Sequence, residues 1–120
     1  MPSLLVHVTS GQEAPTRAAL AFLVARTALG AGSEVSMFLA GDGVTAVRSA
    51  VRASLTGVDT GSLAEHWDAL AAGGVLIWCS KGSCAARGIA AADLDGTPAH
   101  LAPPEKLIEL VFSCDRVLTY

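Results

Sequence analysis

The stretch 75–89, VLIWCSKGSCAARGI, decides how the fold is read. Val75-Leu76-Ile77-Trp78 is a continuous apolar run without polar alternation, the pattern of a strand buried on both faces of a parallel sheet. Cys79 stands at its carboxyl end, and Ser80 to Ile89 reads as a loop or short helical turn. Gly73-Gly74 ends the element before it. That element is predicted to be a helix. Ser62-Leu63-Ala64-Glu65 fits a capping box, and Leu63, Trp67 and Leu70 form an inward stripe.

The same alternation of strand and helix continues in both directions. Leu4 to Val8 reads as a short buried strand that ends in the turn Thr9-Ser10-Gly11. Pro15 opens a helix that Gly30 and Gly32 can stop. Glu34 to Leu39 is a second strand ending at Gly41-Asp42-Gly43, and Val44, Val47, Val51 and Leu55 then recur at helical spacing with Arg48 and Arg52 opposite them. Beyond the quoted stretch, Asp95-Gly96 precedes a weak strand near His100 and Leu101. Pro103-Pro104 opens a last helix carrying Leu107, Ile108 and Val111, and Arg116 to Tyr120 is a terminal strand. The expected fold is a three-layer α/β/α sandwich with a mostly parallel five-stranded sheet, forming one domain over residues 1–120. In the first helix Leu20, Phe22, Leu23, Val24 and Leu29 spread around most of the circumference. One sheet cannot cover them all, so part of that helix is expected to face another subunit.

Composition narrows the function classes. The chain has 120 residues, 52% hydrophobic and 16% charged, which excludes disorder and suffices for one core. With 8 Lys+Arg against 11 Asp+Glu and a net charge of −3, it has no basic footprint for nucleic acid. Met1 to Gln12 and Ala69 to Ser80 are the longest stretches free of Asp, Glu, Lys and Arg, and both fall well short of the roughly 18 apolar residues that span a bilayer. No basic segment precedes the first apolar run, so a cytoplasmic location is expected. Three cysteines without a secretory signal suggest free or reactive thiols rather than a disulfide framework.

In an open parallel sheet, ligands and reactive groups gather beyond the carboxyl ends of the strands. Three segments are predicted to meet there: Ser10-Gly11-Gln12, Gly41-Asp42-Gly43 and Cys79-Ser80-Lys81-Gly82-Ser83-Cys84. The third carries the chemistry, because a thiol becomes a nucleophile where a cation, a helix N-terminus or backbone N–H groups favour its thiolate. Lys81 and Arg87 supply charge, Gly82 lets the backbone approach a sulfur, and Ser83 can cap a short helix whose first turn holds Cys84. Against this, Cys79 can equally be a small buried hydrophobe that ends a core strand, and Cys84 a packed helix residue. Cys114 precedes Asp115, whose charge disfavours a thiolate, and is read as structural. Asp42 can orient a ligand or simply cap a turn. His7, His66 and His100 share no local metal-ligand spacing with a cysteine, so no metal site is expected. Neither GxGxxG nor GxxxxGK[ST] follows the first strand, and no cofactor is expected.

Taken in order, "APTRAALAFLVARTAL", "EVSMFLAGDGV", "VLIWCSKGSCAARGI" and the closing "SCDRVLTY" resemble the DsrE/DsrF-like proteins of sulfur relay, which include the TusD-like subunits. The resemblance covers nearly the whole chain. It implies the α/β/α fold, assembly into homotrimers or larger rings such as hexamers, and sulfur donor and acceptor proteins as partners. It also implies that the cysteine after the third long strand accepts sulfane sulfur as a persulfide. By position that cysteine is Cys79, with Cys84 the alternative carrier or a resolving partner. The leading expectation is therefore a cytoplasmic sulfur carrier that exchanges sulfur between thiols. A non-catalytic oligomeric binding or scaffold module is the alternative, and a dithiol redox protein using Cys79 and Cys84 is a third.

Overall fold

Short runs of Val, Leu, Ile and Phe separated by glycine-bearing turns give five strands, and the segments between them supply the helices. The computed structural model describes all 120 residues. In chain order its elements are β1 (Ser3–Val8), α1 (Pro15–Gly30), β2 (Glu34–Leu39), a 3-10 segment (Gly41–Val47), α2 (Ser49–Ser54), α3 (Leu63–Ala72), β3 (Ile77–Ser80) and α4 (Lys81–Ala86). A second 3-10 turn (Ala91–Leu94), β4 (Ala99–Ala102), α5 (Pro104–Ser113) and β5 (Arg116–Thr119) complete the chain. The sheet order is β4-β3-β2-β1-β5, and every pairing is parallel.

Successive strand residues point to opposite faces, which divides the core. On one face Val6, Val8, Met37, Leu39, Ile77, Cys79 and Ala99 join Ala18, Phe22, Leu63, Trp67 and Leu70 in the main cluster, beneath α1 and α3. On the other face Leu5, Phe38 and Ala102 meet Leu110, with Trp78, Leu107 and Cys114 packed at the edge. Among the helices, only α5 contributes to this second cluster. No helix is long and apolar enough to cross a membrane.

Helix α1 packs against α3 within the chain. Its buried residues are mainly alanines with Phe22, and Leu20, Leu23, Val24 and Leu29 are half-buried. The large apolar side chains left exposed lie elsewhere, chiefly on α5 and β5. Three expectations are corrected. The helix predicted through Val44 and Leu55 is broken: residues 41–47 wind as a 3-10 segment, Arg48 is extended, and α2 begins at Ser49. Arg52 makes the break tolerable, since its Nη1 donates to the carbonyls of Ala46 and Val47 at 2.8 Å each while its guanidinium lies 4.4 Å from the Trp67 ring centre. The capping box at Ser62 does not form, because the Ser62 side chain makes no cap hydrogen bond. Finally, β3 starts two residues late. Gly74, at φ +76°, turns the chain so that Val75 N–H returns to the Leu70 carbonyl, and Cys79 becomes the penultimate residue of the strand, beside Leu39 and Leu101.

Candidate functional site

The carboxyl ends of β1, β2 and β3 lead into three loops that the backbone draws tightly together. Gly41, at φ +54°, makes the turn after β2 that side chains rarely adopt. A Cβ at Gly43 would collide with the Val8 carbonyl, and one at Gly11 would come within 2.5 Å of the Asp42 carbonyl oxygen. These contacts press the start of the 3-10 segment onto the end of β1. Ser10 and Gly11 are buried there, whereas Gln12 is exposed and faces a cleft with Pro15, Ser54, Leu55 and Thr56.

The β2 loop is fastened to α4 in turn. The Ser83 hydroxyl accepts from Gly41 N–H at 2.9 Å, Arg87 donates to Asp42 Oδ1 at 3.0 Å, and Arg48 donates to the Arg87 carbonyl at 2.6 Å. Ser80 rather than Ser83 is the N-cap of α4, accepting from Ser83 N–H at 3.3 Å, so Cys84 lies in the second half of the helix and not its first turn. The structure thus brings Gly11, Gly41, Asp42, Gly43, Cys79, Cys84 and Arg87 to one end of the sheet.

The two thiols are buried neighbours within the main cluster. Burial pushes the Cys79 thiol up to about 12, and the adjoining Cys84, as a charge and as a hydrogen-bond partner, pushes the same way. Burial also raises Cys84, but there Arg87, Arg48 and the hydrogen bond with Cys79 all oppose it. The thiolate is therefore better supported at Cys84 than at Cys79.

Two residues singled out for thiolate stabilisation sit differently. Lys81 is exposed at the start of α4 and is not among the charges acting on either sulfur. Gly82 is also exposed, with open space where a side chain would project. Arg48, which sequence reasoning placed merely on a helix face, takes that role beside Arg87. Its only sequence signal was a position shortly after the Gly41-Asp42-Gly43 turn.

The remaining candidates are structural. Cys114 is half-buried in the second cluster, and the Asp115 carboxylate accepts from Ser3 N–H at 2.8 Å, fixing the β5 end. His66 is buried with its Nε2 2.7 Å from the Thr60 carbonyl. No group of three or more His, Cys, Asp or Glu residues is arranged to hold a metal.

The model of the DsrE/DsrF-like family matches residues 3–120. Among solved structures, the YchN protein of E. coli superposes with a TM-score of 0.81 at 19% identity, covering 100% of both chains. A conserved protein of unknown function from Bacteroides thetaiotaomicron, BT1422, superposes with a TM-score of 0.72 at 13% identity, covering 98% of this chain and 94% of its own. No curated protein matches the chain. At these identities the two structures establish the shared fold alone.

Proposed function

The chain belongs to the DsrE/DsrF-like family, and on that premise we propose that it carries sulfane sulfur as a cysteine persulfide, with Cys84 as the carrier. The observation that supports this reading is the pairing of two buried thiols in which Arg87 and Arg48 favour the anion at Cys84. In the forward step the Cys84 thiolate attacks the terminal sulfur of a donor persulfide. The S–S bond of the donor breaks, its thiolate leaves, and Cys84 holds the sulfur as a persulfide. An acceptor thiolate then attacks that terminal sulfur and Cys84 leaves as thiolate, so no net oxidant or reductant is needed. Cys79, the carrier expected by position along the chain, stays a buried neutral thiol beside Cys84.

Intact-protein mass measurement after incubation with a sulfane-sulfur donor tests this. The wild type gains the mass of one or more sulfur atoms, removable by reductant. Cys84→Ser gains none, and Cys79→Ser gains sulfur more slowly. Loading that survives Cys84→Ser and vanishes in Cys79→Ser would return the carrier role to Cys79. The burial of both sulfurs favours a second reading, a binding or scaffold module whose cysteines only pack, and absence of loading in the wild type would select it.

A further inference from the structure

Cys79 is a nucleophile of the site that the transfer steps leave unused. Strand β3 runs into α4 with no loop between them, so Cys79, the penultimate strand residue, and Cys84, one helical turn beyond the Ser80 cap, come together in the main cluster. Both sulfurs are shut off from solvent, the two residues being 0% and 1% exposed, and Cys79 lies the deeper of the two. Arg48 and Arg87, which reach solvent, act on Cys84 and not on Cys79, and so mark the open side of the pair. Cys114 belongs to the second cluster, across the sheet, which leaves Cys79 as the thiol beside Cys84.

Exchange at a sulfur–sulfur bond places the attacking sulfur, the sulfur attacked and the leaving sulfur in line. A sulfur delivered to Cys84 from the arginine side extends away from Cys79, which sets the three atoms in that order. We propose that Cys79 discharges a persulfide that no acceptor has claimed: its sulfur attacks the Sγ of Cys84, the bond from that Sγ to the added sulfur breaks, and the added sulfur leaves as hydrosulfide while a Cys79–Cys84 disulfide forms. This inference rests on the carrier reading and extends it. No further oxidant is needed, because the sulfane sulfur is reduced as the two cysteines are oxidised, and the Cys79 proton departs with the hydrosulfide. An external dithiol then restores both thiols. The step is slow, since Cys79 holds its proton far above neutrality and only its thiolate attacks, so an acceptor that arrives promptly takes the sulfur first. Storage therefore has a time limit, after which the chain returns its sulfur as sulfide and cannot be loaded again until it is reduced.

The test starts from wild type loaded with limiting inorganic polysulfide, desalted, and held without acceptor or reductant. Sulfide appears in solution in step with the sulfur lost from the protein, the intact mass falls by that sulfur and two hydrogens, and peptide maps under non-reducing conditions show Cys79 joined to Cys84. Cys79→Ser and Cys79→Ala, the latter keeping a small apolar side chain in the core, retain the sulfur and release none, whereas Cys114→Ser releases it as the wild type does. The wild-type map stands whether or not the Cys79 variants fold. A loaded wild type that keeps its sulfur, sulfide release that persists in both Cys79 variants, or a disulfide that joins Cys114 or two chains would overturn the inference and leave the carrier reading intact. A wild type that never loads would overturn both.

Discussion

At Cys84 two opposing effects meet on one sulfur. Burial favours the neutral thiol, and Arg87 and Arg48 favour the anion, with burial the larger. The thiol therefore ionises above the ordinary cysteine value of 9.0, and its reaction with a small alkylating reagent is expected to climb with pH through that region rather than near neutrality. Replacing Arg87 by Gln removes one favourable charge, so the midpoint of the pH–rate profile moves further up. An unchanged midpoint would mean that the guanidinium does not act on the sulfur. In a carrier, this resting state protects the thiol from adventitious oxidation, and a donor that supplies its own cation at the loop would complete the ionisation.

At the scale of elements, what matters is how α4 is held to the β2 loop. The Asp42–Arg87 pair is partly exposed, with 53% and 30% of the two side chains accessible, so it contributes about 0–1 kcal/mol to stability. Its importance is positional, because it helps to close the loop over a buried thiol. Asp42→Asn is expected to leave the denaturation midpoint nearly unchanged while speeding alkylation of Cys84 several-fold. A proportional loss of stability would instead mark the pair as a structural prop. Gly43 behaves in the opposite way. Its position admits no side chain against the Val8 carbonyl, so Gly43→Ala should cost about 1–3 kcal/mol in chemical denaturation. The sequence announced much of this architecture, because strand runs, Pro15, Pro104 and the glycine turns are local signals. The break at Arg48 was not legible, since the apolar spacing of Val44 to Leu55 suits a continuous helix and only the close approach of Gly43 to β1 forces a tighter winding. The pairing of the two cysteines was legible as proximity along the chain. Which sulfur receives the arginines was not, because Arg48 acts through a long-range packing of loops.

At the scale of the whole molecule, the two faces of the sheet differ in how they respond to protons. The main face buries Cys79 as a neutral thiol, and the second face holds His7 half-buried, edge-on to Phe38 at 6.0 Å, with its buried Nε2 lacking a hydrogen-bond partner. Raising Cys79 from its ordinary value to about 12 means that the unfolded chain ionises first on the alkaline side, so stability present below pH 9 is lost progressively as pH rises toward 12. His7 acts on the acid side. Desolvation lowers its pKa, so below the ordinary value of 6.5 the unfolded chain takes up a proton that the folded chain refuses. Stability is fully present above that pH and falls as pH drops toward the folded-state value, before most carboxylates begin to titrate. Urea denaturation midpoints measured in steps between about pH 5 and pH 7 should thus decline on the acid side in the wild type, and His7→Gln should flatten the decline while retaining a polar side chain at the site. A slope that His7→Gln leaves intact would place the acid sensitivity elsewhere in the molecule.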